Sequence, residues 1–197
     1  MSSNNQRLNE AFALFDAYNQ QDPNAFVWEG VSYPQEYFMA LKLHEWVLKL
    51  DPQANEALLL ASRCQHIGRW ELPRDQYPLD REGYLRWRKE LAQHHARVAA
   101  DILREVGYED ELIQRVETIV LKRKLKVDTD VQTMENALCL VFLQYQYETF
   151  YKGYPDKIVN ILRKSLLKMD AKGHRFALEL PYSEEGAAYV QEALTSI

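Results

Sequence analysis

Apolar residues recur along the first part of this chain at the three- and four-residue spacing of amphipathic helices. The pattern predicts a first helix over residues 5–20, whose apolar face is formed by Leu8, Ala11, Phe12 and Phe15. A Gln-Asp-Pro-Asn run then ends the helix, and a loop follows. A second helix is predicted from Pro34 through Leu50, and Asn55 is placed to cap a third, with the sequence EALLLASRCQHI.

The rest of the chain continues the helical pattern after one long interruption. Residues 69–81 hold two prolines and no apolar stripe, so we expect a loop, and loops of this length are often functional. The longest helix is predicted over 82–106, with Gly107 as the residue that ends it. Further helices are expected near 109–124, 128–152, 155–169 and 184–195. The pattern predicts a single all-α domain over residues 1–197, with seven or eight helices and little room for a sheet.

Composition narrows the class of protein. The 197 residues are 47% hydrophobic and 27% charged, as in globular domains, and the net charge of −5 argues against a non-specific nucleic-acid binder. The longest apolar run, ALCLVFL, is far shorter than the roughly 20 residues that span a bilayer. No membrane association is therefore expected. The N-terminus lacks a secretory apolar core, so we expect a cytoplasmic protein whose two cysteines, Cys64 and Cys139, are buried thiols.

Histidines and carboxylates on separate helices form the candidate chemistry. His66 ends one predicted helix, His94 and His95 lie in the middle of another, and the Glu135-Asn136 pair opens a later one. Imidazoles and carboxylates from different helices that face a shared interior are the usual ligands of a helical metal site.

Two sequence segments resemble the HD-domain superfamily of helical, metal-dependent phosphohydrolases. QHIGR is similar to the HDIGR signature of that superfamily, and the later segment HARVAADILREVGYEDELIQRVETIV resembles its following part. In this likeness His95 is the histidine that precedes the small pair Ala99-Ala100, and Asn136 takes the place of the last aspartate ligand. The resemblance implies an HD-like helical bundle with a metal-dependent hydrolase site.

A second resemblance covers nearly the whole chain. Segments such as RCQHIGRW, LPRDQYPLDREGYLRWRKEL and LKRKLKVDTDVQTMENALCLVFLQYQ are similar to the family called domain of unknown function 4202, which belongs near the HD superfamily. Members of that family are sometimes labelled glutamyl-tRNA synthetase. The chain has no Rossmann pattern, its QHIG lies in a helical hairpin, and its KMD at Lys168-Met169-Asp170 is too short to indicate a synthetase.

Departures from the HD pattern reduce the number of metal ligands, and therefore of metal ions, that we expect. Gln65 and His66 stand where the superfamily has its His-Asp ligand pair, the late aspartate is Asn136, and a lysine-rich VLKRKLK replaces a histidine-bearing helix. We therefore expect at most one divalent ion (Mn, Ni, Co, Fe or Zn), or none. The expected ligands are His66, His95 and Glu135, and Gln65 or Asn136 would orient the reacting water.

Cationic side chains supply the second signal. Arginine forks bind phosphate well, so Arg69, Arg74 and Arg88 are predicted to hold a phosphate group, with Lys122 as a further cation. The alternative is that these arginines pair with nearby acids, which are Glu71, Asp75, Asp80 and Glu82. Aromatic residues interleave with them and either stack on a nucleic-acid base or belong to the core.

Three functional hypotheses follow. The first is a mononuclear metal-dependent phosphohydrolase that acts on a nucleotide or another phosphate ester. The alternative is a non-catalytic module that binds an anionic small molecule or nucleotide and has lost the metal chemistry. The third is an RNA-associated protein that uses the loop rich in arginine and tryptophan, which predicts binding that weakens steeply with salt.

Overall fold

The computed structural model describes residues 3–197, with side chains from residue 5 onward, and 70% of the chain is helical. This confirms the all-α prediction. Within residues 3–197 there are ten α-helices rather than seven or eight. They are α1 Ser3–Asn19, α2 Gln35–Leu50, α3 Glu56–Cys64, α4 Arg81–Val106, α5 Asp110–Val120, α6 Thr129–Tyr145, α7 Tyr147–Phe150, α8 Ile158–Leu166, α9 Ala171–Leu178 and α10 Glu184–Thr195. Short 3-10 turns occur at Arg69–Glu71, Arg74–Gln76 and Tyr151–Gly153.

The segment before α2 corrects the expectation of a structureless loop. Strands β1 Ala25–Trp28 and β2 Val31–Pro34 form an antiparallel hairpin, in which Trp28 pairs with Val31 and Ala25 with Pro34. Its two connecting residues, Glu29 and Gly30, have φ of 49° and 79°. Two left-handed residues in a two-residue connection match the right-handed twist of the strands, which explains the tight hairpin.

In the second half of the chain the observed helices differ from the predicted ones mainly in two places. The helix predicted over 128–152 is interrupted at Gln146, where α6 ends and α7 begins. The apolar pattern does not predict α9, because its eight residues are too few to show a clear stripe. This helix begins where the carboxylate of Asp170 accepts a hydrogen bond of 3.0 Å from the backbone N–H of Gly173. By contrast, α4 and its terminating Gly107, with φ of 87°, are as predicted.

The described residues form two compact units. The first comprises the chain up to Glu45 together with Gln53–Arg123, and the second comprises Trp46–Pro52 and Lys124–Ile197. In the first unit α3 packs against α1 and α5, and α4 packs against α1 and α5. Its fully buried side chains include Phe15, Leu58, Ile67, Leu103 and Ile113. In the second unit α10 packs on α8 and α9 packs on α6, around Leu140, Tyr147, Ile158, Leu162 and Val190.

Three alternate lysines in the turn after α5 adopt the left-handed backbone conformation. Their φ angles are 54° at Lys122, 61° at Lys124 and 73° at Lys126. Left-handed backbone is uncommon for residues with a Cβ atom, because that atom approaches the following carbonyl oxygen.

No helix within residues 3–197 is both long enough and apolar enough to cross a membrane. Cys64 and Cys139 are both buried, as expected from their apolar surroundings.

Candidate functional site

Two of the predicted site histidines lie side by side in the first unit. His66 belongs to the turn that follows α3, and His95 lies in the middle of α4. Their ring centroids are 5.6 Å apart, with an angle of 51° between the ring planes. The structure therefore brings two of the three predicted metal ligands together from separate elements of the chain.

His95 is buried and held in one tautomer. It is 3% exposed, and its Nδ1 atom lies 2.6 Å from the carbonyl oxygen of Ile67. A carbonyl oxygen only accepts, so Nδ1 carries the proton and Nε2 keeps a free lone pair. Burial lowers the pKa of His95 to about 3; the bond to Ile67 opposes this, while the charge of Arg69 adds to it. His95 is therefore a neutral imidazole at neutral pH.

His66 is neutral as well, but solvent reaches it. About a third of its side chain (33%) is exposed, and its Nδ1 atom lies 3.9 Å from Oε2 of Glu36. Burial lowers the pKa of His66 well below its usual value, and the charges of Arg69, Lys122 and Arg88 lower it further. Three of the four predicted phosphate-binding cations thus act electrostatically on this ring.

Glu36 is the acidic residue that the sequence interpretation missed. It is 5% exposed, and its Oε1 atom lies 3.7 Å from Nε of Arg69. Its backbone N–H donates to Oδ2 of Asp22 at 2.9 Å, which fixes the start of α2. Burial raises the pKa of Glu36 to about 7; Arg69 opposes this, and Asp22 adds to it. The sequence did hold an indication that Glu36 faces inward, because it lies at helical spacing from the buried residues Met39, Ala40 and Leu43.

These residues form what we call the imidazole cluster, all of it in the first unit. Its members are Glu36, His66, Arg69, Arg88, His95 and Lys122. Arg88 is exposed and Lys122 half-buried. The cluster combines two neutral imidazoles with three cations and one buried carboxyl group.

Gln65 and Arg74 have structural contacts of their own. Gln65 is buried, its Nε2 atom donates to the carbonyl of Val120 at 3.0 Å, and its Oε1 atom is buried without a hydrogen-bond partner. Arg74 donates to the carbonyl of Tyr77 at 2.9 Å, and its guanidinium lies 5.9 Å from the ring centroid of Trp87. Arg74 therefore stabilises the loop of residues 69–81 through its own contacts.

Trp87, which lies in the first part of α4 just after that loop, is already in contact with cations. The guanidinium of Arg69 lies 5.8 Å from the ring of Trp87, and Trp87 Nε1 donates to the carbonyl of Leu72 at 2.8 Å. Base stacking by this loop stays a prediction.

Two of the acids expected to pair with arginines have other partners. Glu71 contacts His94 at 2.9 Å and accepts a hydrogen bond from Tyr18. Asp80 caps α4 by accepting from the backbone N–H of Gly83. These two carboxylates therefore fix the loop and the start of α4.

Glu135 and Asn136 lie in the second unit, on α6. Glu135 is buried, with Oε1 3.6 Å from Nζ of Lys168. The buried Asn136 donates through Nδ2 to Oδ1 of Asp170 at 2.8 Å, and its Oδ1 accepts from Gln132 and from the backbone N–H of Asp170, both at 3.1 Å. Asn136 thus holds the residue that caps α9.

The donor set of the imidazole cluster is a poor one for a resident divalent metal. Across the side chains that the structure describes, no three His, Cys, Asp or Glu residues are gathered so as to hold a metal ion. Within the cluster, two imidazoles are accompanied by one carboxyl group with a raised pKa, and three cations lie close by. Divalent ions are held by deprotonated, preferably anionic ligands, which are scarce here.

Fold and site define an all-α protein in which a buried imidazole and a partly exposed one lie side by side near three cationic side chains. The model of the family described as Domain of unknown function (DUF4202) matches residues 9–190, and the chain belongs to that family. Comparison with curated proteins and with solved structures found no match.

Proposed function

We propose that the imidazole cluster binds the phosphate group of an anionic small molecule, without a resident metal. The observation that carries this proposal is a neutral, solvent-reachable His66 in the field of Arg69, Arg88 and Lys122. Cations whose charges act on one partly exposed group raise the local concentration of anions and hold them once bound.

The chemistry of each group supports phosphate as the ligand. Arg69 and Arg88 offer planar forks that match phosphate oxygens, and Lys122 adds a point charge. A neutral imidazole both donates and accepts hydrogen bonds, so His66 suits the partly protonated oxygens of a phosphate. The low pKa of both histidines keeps them neutral at pH 7, which leaves the lysine and arginines as the source of positive charge.

A second candidate keeps catalysis, as in the metal-dependent phosphohydrolases of the HD superfamily. The observation in its favour is the bond from His95 Nδ1 to Ile67, because metal-binding histidines usually donate their other N–H in this way. His66 and His95 would be two ligands of an added ion. Membership of the HD superfamily stays part of this proposal.

Thermal unfolding with added ligands tests the first proposal and separates it from the second. Inorganic phosphate, AMP, ADP and ATP are added at low ionic strength, with EDTA and then with Mn or Co. Binding to the native state raises the melting temperature. We expect a rise in EDTA that is reduced in Arg69→Ala and Arg88→Ala. Arg104→Ala is the matched control, since Arg104 is exposed on the same helix as Arg88 and paired with Asp101.

The outcomes are distinct. No rise with any anion rejects phosphate binding. A rise that occurs only with metal, together with phosphate release that His66→Ala abolishes, supports the phosphohydrolase instead.

A further inference from the structure

We propose that Glu36 is a specificity-determining residue of the imidazole cluster, an internal anion that limits how much negative charge a ligand can carry. The inference rests on the proposed function, because it concerns the same phosphate-binding site. It states that this carboxylate weakens the binding of a pyrophosphate or longer polyphosphate more than the binding of a single phosphate group.

The position of the carboxyl group supports this role. Glu36 faces two groups that would contact the ligand, with Oε1 3.7 Å from Arg69 Nε and Oε2 3.9 Å from His66 Nδ1. Both distances exceed normal hydrogen-bond lengths, so the carboxylate shares the field of these groups without closing a bidentate pair. Any anion that binds Arg69 and His66 therefore lies near a second negative charge.

The backbone keeps Glu36 in this place. Its N–H donates to Asp22 at 2.9 Å, which fixes the backbone at the start of α2, and the side chain is buried next to Arg69 and His66. Repulsion between the carboxylate and a ligand grows in proportion to the ligand charge. The penalty is therefore larger for pyrophosphate than for phosphate.

The test compares Kd values for inorganic phosphate and pyrophosphate by calorimetry, at low salt and about pH 8, where Glu36 is mostly ionised. Glu36→Gln removes the charge and keeps the shape, and Glu36→Asp keeps the charge. Glu45→Gln is the control, because Glu45 lies on the same helix, is exposed and pairs with Lys42. In Glu36→Gln we expect phosphate to bind roughly tenfold more tightly and pyrophosphate to gain more than that.

The possible results distinguish phosphate binding by the cluster from the role of Glu36 in it. If wild type binds neither anion, the proposed function fails. If wild type binds phosphate and Arg69→Ala weakens it, yet Glu36→Gln leaves the ratio of the two Kd values unchanged, the role of Glu36 is refuted and phosphate binding stands. Should Glu36→Gln not unfold cooperatively, Glu36→Ser removes the same charge and carries the same comparison.

Discussion

His95 and the carbonyl oxygen of Ile67 are joined by a hydrogen bond of 2.6 Å that ties the middle of α4 to the turn after α3. Because His66 precedes Ile67 in that turn, the same bond places the two imidazoles beside each other. The buried ring of His95 therefore has a structural role, whereas the partly exposed ring of His66 is available to a ligand.

Substitution of the two histidines should separate these roles. His95→Ala removes a buried ring and leaves the carbonyl of Ile67 without its partner, so the free energy of unfolding should fall by about 2–4 kcal/mol. His66→Ala should cost less than about 1 kcal/mol, because its side chain is partly exposed. Urea unfolding monitored by circular dichroism measures both. Equal losses in the two variants would contradict the assignment.

Acid should destabilise the protein through its buried histidines. The pKa of His95 falls to about 3 and that of His44 to about 4, in both cases chiefly by burial. In the unfolded chain these groups have a pKa of about 6.5, so the unfolded state binds more protons below that pH. The contribution of these histidines to stability should be complete above about pH 6.5 and fall as the pH decreases, towards about 4 for His44 and about 3 for His95.

His44→Gln tests the sign of this effect. His44 Nδ1 lies 2.8 Å from Oγ of Ser62, whose hydroxyl donates to the carbonyl of Leu59. The variant lacks the titrating group, so its free energy of unfolding should fall less steeply than that of wild type between about pH 6.5 and 4. Parallel pH profiles would show that His44 does not contribute.

Two glycines with left-handed backbone should differ in their tolerance of alanine. At Gly68, with φ of 68°, an added Cβ would lie 2.8 Å from Nε2 of His94. At Gly107, with φ of 87°, the space is open. Gly107→Ala should cost about 1 kcal/mol for the backbone alone, and Gly68→Ala more, about 2–3 kcal/mol. Melting temperatures of the two variants measure the difference, and a smaller loss at Gly68 would contradict it.

Asn136→Asp should destabilise the second unit instead of improving a metal site. The new carboxylate would face that of Asp170, which now accepts a hydrogen bond from Asn136 Nδ2. We expect a loss of about 1–3 kcal/mol at neutral pH, and less at low pH. A double-mutant cycle with Asp170→Asn measures the coupling. Additive effects of the two substitutions would show that the contact contributes little.

The sequence predicted the fold best where an apolar pattern continued over many residues or where a glycine marked the end of a helix. Helix α4 spans about seven turns and ends at Gly107, so both its apolar stripe and its end could be predicted from the sequence. The proximity of His66 and His95 followed from the likeness to a known motif. Glu36 was not predicted, because an acid in the first turn of a helix usually faces solvent, although its spacing from the buried residues of α2 pointed inward.

Asn136 was predicted to face a catalytic centre because the family likeness placed it at a ligand position. Its hydrogen bonds to Asp170 and Gln132 accompany the unpredicted helix α9, so no local pattern could have revealed them. Short elements such as α9 and the hairpin are decided by contacts distant in sequence, which propensity does not capture.

The three left-handed lysines after α5 imply that the conformation of this turn is determined by the rest of the folded protein and not by the preferences of its own residues. Each such conformation costs roughly 1 kcal/mol in a residue with a Cβ atom, so a peptide cut from residues 121–128 would relax to other shapes. The folded protein imposes the turn, and the substitution Lys124→Gly would relieve part of the cost while leaving the chain path unchanged.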